Sequence, residues 1–222
     1  AQSVGAVTCV DGVSYAPHGL PNIDALGADI YLFSTYKTFG PHQGIMVMRE
    51  SLARALPNQG HYFNGGDTTK RFTPAGPDHA QVAACAGIAD YIDALYGHHY
   101  PHAAEPVHRG EAVHDLMRAH EMAVLAPLMD YLVSKNSVRV LGPTDPTAKA
   151  PTVALACVRP GAELAADLAQ RGIVAGGGDF YAGRCLAAQG VDPDHGVLRL
   201  SFVHYTSAAE VDKLIGALDD VI

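Results

Sequence analysis

A single lysine stands in the segment FSTYKTFGPH, residues 33–42, between an apolar run and a Gly-Pro turn. The segment contains no acidic residue that could pair with Lys37. An aspartate, Asp11, ends another apolar run 26 positions earlier. A lysine amine at the end of a strand can attack a carbonyl carbon when no ion pair holds it. Lys37 is therefore the first candidate for covalent chemistry.

Lys37 and Asp11 together suit the cofactor pyridoxal 5'-phosphate (PLP). This cofactor forms a Schiff base with a lysine, and it needs an acid that keeps its pyridine nitrogen protonated. Asp11 and Lys37 would supply these two groups. The local pattern leaves an ordinary alternative open, in which Lys37 is a solvated turn residue and Asp11 caps a helix.

The composition is that of a globular protein with an acidic surface. The chain has 222 residues, of which 48% are hydrophobic and 17% are charged, and its formal net charge is -8. Such a surface, without basic clusters, disfavours nucleic acid and anionic membranes as partners. No apolar run approaches the roughly 20 residues of a membrane-spanning helix. The first segment, AQSVGAVTCVDG, lacks the basic region of a signal peptide, so we do not expect it to be one. Three of the four cysteines lie in apolar runs, which is typical of reduced core residues, so we expect a cytoplasmic protein.

Neither the cysteines nor the histidines form a metal-binding pattern. The four cysteines are scattered without a C-x-x-C pair, which disfavours a disulfide framework or a structural zinc site. The segment GHHYPH is rich in histidine, but it lacks an acidic or cysteine partner at ligand spacing. We therefore expect no metal.

Three apolar runs predict the strands of an α/β sheet, at residues 6–10, 30–34 and 44–49. Short helical or turn patterns connect them, and we expect the strands to be parallel and buried. Ligands of open α/β sheets bind beyond the carboxyl ends of the strands. Asp11 and Lys37 both fall there.

The second half of the chain has a different order of predicted helices and strands. A long amphipathic helix over residues 106–135, broken near Pro127, precedes two strands, a helix, a Gly-rich loop, a strand and a final helix. This order predicts a small α+β layer. We place the large-domain portion, with an interdomain helix, at residues 1–97 and the small C-terminal α+β domain at residues 98–222.

Several motifs, in colinear order, resemble the class V aminotransferases and the cysteine desulfurases among them, which are fold type I PLP-dependent enzymes. The run VDGVSYAPH resembles the family's V-D-G-A-Q-x-x-P-H, and FSTYKTFGP resembles F-S-x-H-K-x-x-G-P. Further matches are RFTPAGPDH, KAPTVAL and GVLRLSFVHYTSAAEVDKLIGAL. The resemblance covers essentially the whole chain and implies the C-terminal half of the fold. It implies an α/β class: a partial PLP-transferase large domain, then the small α+β domain.

The resemblance implies a role for each matching residue. Lys37 matches the catalytic lysine that forms the Schiff base with PLP, and Asp11 matches the acid at the pyridine nitrogen. Val13 matches the small apolar residue under the cofactor ring, and Ser34 matches a phosphate ligand. Gly76 matches a loop that reaches the phosphate in the neighbouring subunit of a homodimer.

The sequence departs from the family pattern at several cofactor positions. Ser14 stands where the family has a glutamine that contacts the ring hydroxyl, and Tyr36 stands where it has a histidine. A phenol can still bond a phosphate. Pro77 follows the glycine of the A-G-T-P-N motif directly and has no amide hydrogen to offer. Tyr181 falls where desulfurases carry the nucleophilic cysteine, and Cys185 lies four residues further on, out of register.

The resemblance thus implies a PLP-dependent transferase or lyase that acts on an amino acid. Arg199 matches the arginine that binds the substrate α-carboxylate, a role that suits a guanidinium fork. Cysteine desulfurase activity is not expected, because Tyr181 replaces the loop cysteine. One alternative is a non-catalytic PLP-fold paralogue or regulatory subunit. Another is a phosphate-binding protein that uses AGGGD as an anion loop, although this loop lacks the Lys-Ser/Thr of a P-loop.

Overall fold

The computed structural model describes residues 1–73 and 76–222. The chain divides into two compact units, Ala1–Asp115 and Leu116–Ile222. The two compact units divide after Asp115, further along the chain than residue 97. The domain boundary predicted after residue 97 stays a prediction.

Three strands form the sheet of the first unit: β1 (Cys9–Asp11), β2 (Ile30–Ser34) and β3 (Gly44–Met48). β2 lies in the middle, parallel to β1 and antiparallel to β3. The expectation that all three strands are parallel is therefore wrong for β3. A parallel crossover needs a dozen or more residues, and only residues 35–43 connect β2 to β3.

Four short helices accompany this sheet: α1 (Ile23–Leu26), α2 (Glu50–Ala55), α3 (His79–Ala84) and α4 (Ala86–His99). The predicted helix after Pro77 and Asp78 is present as the successive helices α3 and α4. Asp78 caps α3, because its carboxylate accepts hydrogen bonds from the Ala80 and Gln81 amides at 3.0 and 3.1 Å.

One aspartate ties the three strands together at the edge opposite the predicted site. Asp29 accepts hydrogen bonds from the backbone and hydroxyl of Thr8, at 2.8 and 2.9 Å, and lies 3.4 Å from the Arg49 guanidinium. The hydrogen bonds from the Thr8 backbone and side chain hold the Asp29 pKa below its ordinary value. Tyr31 and Phe33, two positions apart in β2, pack on Ala16 in a small core.

A long helix, α5 (Pro106–Ser134), runs through Pro127 without the predicted break. The proline ring removes one backbone hydrogen bond from the helix. Pro127 itself is exposed, whereas Leu125 and Leu128 on either side of it are fully buried. Packing of these side chains supports the helix across the proline.

The second unit has a four-stranded antiparallel sheet in the order β4, β5, β7, β6. Its strands are β4 (Val138–Leu141), β5 (Thr152–Cys157), β6 (Gly176–Gly178) and β7 (Val197–Ser201). Its helices are α6 (Gly161–Gln170), α7 (Gly183–Ala188) and α8 (Ala208–Val221). This is the predicted α+β layer. One apolar core joins the C-terminal part of α5 with β5, α6, β7 and α8.

The Gly-rich segment is a strand, β6, and the prediction of a loop there is wrong. Gly176, Gly177 and Gly178 pair with Arg199, Leu198 and Val197 of β7. Glycine is needed because α6 lies directly on this backbone. A Cβ on Gly177 would stand 2.2 Å from the carbonyl oxygen of Gly161. The glycines thus permit close packing within the unit.

We expect Gly161→Ala to destabilise the protein, because a Cβ there would lie 2.2 Å from the carbonyl carbon and oxygen of Val197. The contact is with the backbone of β7, so no side chain can rotate away. Overpacking of this kind costs about 1–3 kcal/mol in the free energy of unfolding. Urea unfolding followed by circular dichroism measures the loss.

Gly216→Ala in α8 is the matched control. Apart from the two adjacent residues and the backbone of its own helix, no atom of the described residues lies within 4 Å of a Cβ at Gly216, and the residue is exposed inside α8. Alanine there is expected to raise the free energy of unfolding by about 0.5–1 kcal/mol. Two variants with the same stability would contradict the close approach of α6 to β7.

Candidate active site

Lys37 ends a 3-10 turn, Thr35–Lys37, that follows β2 without interruption. Its side chain is exposed, and its amine lies 5.9 Å from the centroid of the Tyr36 ring. In residues 1–73 and 76–222, no carboxylate forms an ion pair with this amine. The lysine is therefore open to a ligand at the carboxyl end of β2.

Two buried threonines anchor the turn that carries Lys37. Thr35 is 0% exposed and Thr38 is 3% exposed. The Thr35 hydroxyl lies within hydrogen-bonding distance of the carbonyl oxygens of Pro41 and Gln43, the latter at 2.9 Å. The Thr38 hydroxyl donates to the Ser34 carbonyl at 3.0 Å. These bonds fix the backbone on both sides of Lys37.

Helix α4 packs against the loop that follows Lys37. A Cβ on Gly40 would stand 2.8 Å from Cδ1 of Ile88 and 3.0 Å from Cβ of Thr35. Phe39, with a left-handed φ of 63°, places its ring centroid 5.1 Å from that of Tyr91. The loop is therefore packed tightly around its backbone while the Lys37 amine stays outside.

Asp11 is the last residue of β1, at the same edge of the sheet. It pairs with Leu32 of the parallel strand β2, five positions before Lys37. One carboxylate oxygen accepts a hydrogen bond from the Val13 amide at 3.0 Å. The other oxygen has no hydrogen-bond partner in the part of the chain that the structure describes. It can accept a hydrogen bond from a ligand.

The loop after Asp11 is shaped by close contacts. Gly12 is buried, and a Cβ there would lie 2.0 Å from the Tyr31 hydroxyl oxygen, so only glycine fits. Val13 is half-buried and Ser14 is exposed. The loop is held at Tyr15, whose hydroxyl lies 3.3 Å from Nε2 of His114.

The remaining cofactor candidates of the first unit lie outside its core. Ser34 is half-buried at the end of β2, and Tyr36 is half-exposed with its ring stacked on His42 at 5.1 Å. Gly76 is exposed, and no atom of the described residues beyond its chain neighbours lies within 4 Å of the place of a Cβ. Pro74 and Ala75, the first residues of the PAGPD segment, lie outside the described residues.

Arg199 lies in the second unit, on β7. It is exposed and pairs with Gly176 of β6 and Ala154 of β5. Its guanidinium carbon lies 3.9 Å from the centroid of the Phe180 ring, on the loop between β6 and α7.

The cysteines offer no counterpart of a desulfurase nucleophile at the expected place. Tyr181 is fully exposed with a left-handed φ of 59°. Cys185 is exposed on α7, and Cys9 is exposed at the start of β1. Burial raises the pKa of the half-buried Cys157 to about 11, which keeps it a thiol at neutral pH.

Two features are absent from residues 1–73 and 76–222: a metal-binding cluster and a membrane-spanning helix. No group of three or more histidine, cysteine, aspartate or glutamate side chains is placed to hold a metal ion there. Within the same part of the chain, no helix combines the length and the apolar character that crossing a lipid bilayer requires.

The structure thus brings Asp11 and Lys37 to the carboxyl ends of two neighbouring strands in the first unit. Arg199 lies in the second unit. Sequence reasoning missed Thr35, Thr38 and Phe180, which support the candidates without matching a motif. The only sequence signal for Thr35 and Thr38 is that both flank Lys37 within three residues.

Comparison with solved structures identifies the fold. The cysteine desulfurase CsdA of Escherichia coli superposes with a TM-score of 0.75 at 22% identity, covering 100% of this chain and 53% of that one. A cysteine desulfurase of Thermococcus onnurineus gives a TM-score of 0.75 at 20% identity, covering 100% and 54%. The fold is therefore that of PLP-dependent enzymes of this type, as the sequence predicted.

The chain belongs to the class V aminotransferase family, whose model matches residues 1–214. Members of this family use PLP. The aminotransferase-like protein FGM3 of Gibberella zeae is 31% identical over 98% of this chain and 52% of its own length. A probable cysteine desulfurase of Pseudomonas putida is 30% identical over 99% of this chain and 52% of its own length. The chain spans about half the length of these curated relatives.

We expect Thr35→Val to destabilise the loop around Lys37. The substitution removes a buried hydroxyl from the carbonyls of Pro41 and Gln43 and leaves the volume nearly unchanged. Loss of such a buried hydrogen bond costs about 1–2 kcal/mol. Urea unfolding of the variant and of the unmodified protein gives the difference in the free energy of unfolding.

Thr152→Val makes the same chemical change at an exposed position of β5. It is expected to alter the free energy of unfolding by no more than about 0.5 kcal/mol. If Thr35→Val is as mild as Thr152→Val, the Thr35 hydroxyl does not anchor the loop.

Proposed function

We propose that this protein is a PLP-dependent enzyme that acts on an amino acid with the cofactor attached to the Lys37 amine. One observation carries the proposal. Parallel pairing of β1 and β2 brings Asp11, with an open carboxylate oxygen, and Lys37, without an ion pair in the described residues, to the same carboxyl edge. Family membership supports the same cofactor.

The chemistry of the donor set fits PLP. The open Asp11 oxygen can accept a hydrogen bond from a protonated ring nitrogen, and the half-buried Val13 side chain offers an apolar surface for a ring. When bound, PLP supplies an electron sink that stabilises negative charge at the α-carbon of an amino acid. Asp11 holds that sink in its charged state.

Residues with hydroxyl groups near Asp11 and Lys37 supply the polar contacts to the cofactor in this proposal. We assign Ser34 and Tyr36 to the phosphate, because both carry a hydroxyl outside the core next to Lys37. Ser14, exposed in the loop after Asp11, is assigned to the ring hydroxyl. Gly76, with open space beside its Cα, is assigned to the phosphate of the partner in a homodimer.

Lys37 and Arg199 act on the amino acid itself in this proposal. The guanidinium of Arg199 binds the α-carboxylate through its fork of donors. The Lys37 amine would hold the cofactor and, when it is free, would accept the α-proton of the amino acid and return it. This assignment covers a transferase or a lyase, and we place the enzyme in the cytoplasm.

A non-catalytic role is the second candidate, as a PLP-fold paralogue or regulatory subunit. Three features favour it: Ser14 is short where the family has glutamine, Pro77 has no amide hydrogen, and Tyr181 is fully exposed where desulfurases have a cysteine. Under this candidate the lysine holds the cofactor, or nothing, without turnover.

Reductive trapping of the cofactor tests the first proposal. The protein is incubated with PLP, reduced with borohydride, digested and mapped by mass spectrometry. We expect the added mass on the Lys37 peptide, and none there after Lys37→Ala. Lys70→Ala is the matched control, because Lys70 is exposed but paired with Asp67. That variant is expected to keep the label on Lys37.

A label that is spread over exposed lysines and unaffected by Lys37→Ala would contradict the proposal. A label on Lys37 without turnover of any of the twenty common amino acids would favour the non-catalytic candidate.

We expect no sulfide release from L-cysteine, because no cysteine occupies the loop position of Tyr181. Sulfide is measured with the PLP-loaded protein and an excess of thiol reductant. The exposed Cys185 is the thiol that could act from another register, so Cys185→Ser is the control. Sulfide release that disappears in Cys185→Ser would show this expectation to be wrong.

A further inference from the structure

Arg199 is held by an aromatic ring and by no acid. Its guanidinium carbon lies 3.9 Å from the centre of the Phe180 ring, well within the range of a cation–π contact. Throughout the part of the chain that the structure describes, Arg199 makes no ion pair and its side chain forms no hydrogen bond. The ring face is thus the partner that orients this cation.

The Phe180 ring is itself fixed. It is half-buried and packs on a small apolar cluster formed by Leu186, Val191 and Val197. The ring also occupies the space beside Gly176, where a Cβ would lie 2.9 Å from Cζ of Phe180. Gly176 is also the residue that pairs with Arg199 across β6 and β7. Ring, glycine and arginine therefore form one compact arrangement.

The backbone that carries this ring is strained. Phe180 and Tyr181 have φ angles of 52° and 59°, in the left-handed region that L-residues with a Cβ avoid. Asp179 holds the turn, because its carboxylate accepts from the Tyr181 amide at 3.3 Å and its carbonyl from the Ala182 amide at 2.9 Å. Strain of this kind persists where the surrounding structure requires it, and it is concentrated at functional sites.

An aromatic platform leaves an arginine able to bind an anion, whereas an acidic partner does not. A carboxylate would neutralise the guanidinium and occupy its donors. A ring face attracts the cation electrostatically but uses none of the N–H groups at the edge of the fork. All five donors of Arg199 therefore remain for a planar, bidentate ligand.

We propose that Phe180 is a positioning residue that holds the Arg199 guanidinium ready for the carboxylate of the substrate. The inference rests on the proposed function of Arg199 as the carboxylate ligand and deepens it. Phe180 touches neither substrate nor cofactor in this role. It makes the site select an amino acid with a free carboxylate over the corresponding amide.

The experiment compares L-alanine with L-alaninamide, which lacks the negative carboxylate. Dissociation constants are obtained with the PLP-loaded protein from the change in cofactor absorbance. The preference is the dissociation constant of the amide divided by that of the acid. Phe180→Leu is expected to reduce this preference roughly 2- to 5-fold, the range of an exposed cation–π contact.

Three further variants separate positioning from packing. Phe180→Tyr keeps the ring and is expected to keep the preference. Gly176→Ala keeps Phe180 but displaces its ring, and it is expected to reduce the preference as much as Phe180→Leu does. Tyr181→Leu changes the neighbouring, fully exposed aromatic residue and is expected to have no effect.

A spectroscopic readout does not depend on the cofactor. In protein labelled with 15N-arginine, the ring current of Phe180 shifts the Nε proton of Arg199 upfield. This shift is expected to vanish in Phe180→Leu and to persist in Phe180→Tyr. If the Nε proton of Arg199 has the same chemical shift in the unmodified protein, Phe180→Leu and Phe180→Tyr, the proposed contact between the Phe180 ring and Arg199 is overturned.

The outcomes distinguish this inference from the proposed function. If Arg199→Gln abolishes the preference while Phe180→Leu and Gly176→Ala retain it, Phe180 is not a positioning residue and the role of Arg199 stands. If the unmodified protein has no preference and Arg199→Gln changes nothing, both are overturned. Loss of the preference in Arg199→Gln, together with its reduction in Phe180→Leu and Gly176→Ala, supports both.

Discussion

Buried hydroxyls in the loop after β2 determine where the Lys37 amine stands. The Thr35 hydroxyl donates to the Gln43 carbonyl and the Thr38 hydroxyl donates to the Ser34 carbonyl, which fixes the backbone on both sides of the lysine. The loop is short, and it turns the chain directly from β2 into the antiparallel strand β3. The lysine therefore stays in solvent at the carboxyl end of β2, while the two threonines that anchor its turn are buried.

In the second unit, glycines determine where the candidate residue Arg199 stands. The backbone of β6 lies so close to α6 that a Cβ on Gly177 would collide with Gly161, and the same strand leaves room for the Phe180 ring at Gly176. This packing gives β7 a neighbour with almost no side chains of its own. Arg199 on β7 then rests on an aromatic face and keeps its donors free.

Much of the site follows from local sequence pattern. The apolar run of β2 and the carboxyl-end rule predict that Asp11 and Lys37 follow neighbouring strands at one end of the sheet, and the structure has them there. Their roles in binding a cofactor stay predictions. Strand direction could not be read from β3, because an apolar run has the same appearance in parallel and antiparallel sheets. The three glycines of β6 indicated a loop, because a Gly-rich run is typical of loops. Glycine is needed there because α6 packs directly on the strand, and the sequence near β6 does not show that contact. Phe180 carries no motif at all, because its role arises only from tertiary contact with Arg199.

A crystal structure of the protein with PLP tests the central claim most directly. We predict continuous electron density from Nζ of Lys37 to the cofactor, with a carboxylate oxygen of Asp11 within hydrogen-bonding distance of the pyridine nitrogen. Cofactor density joined to another lysine, or a pyridine nitrogen far from Asp11, would contradict it.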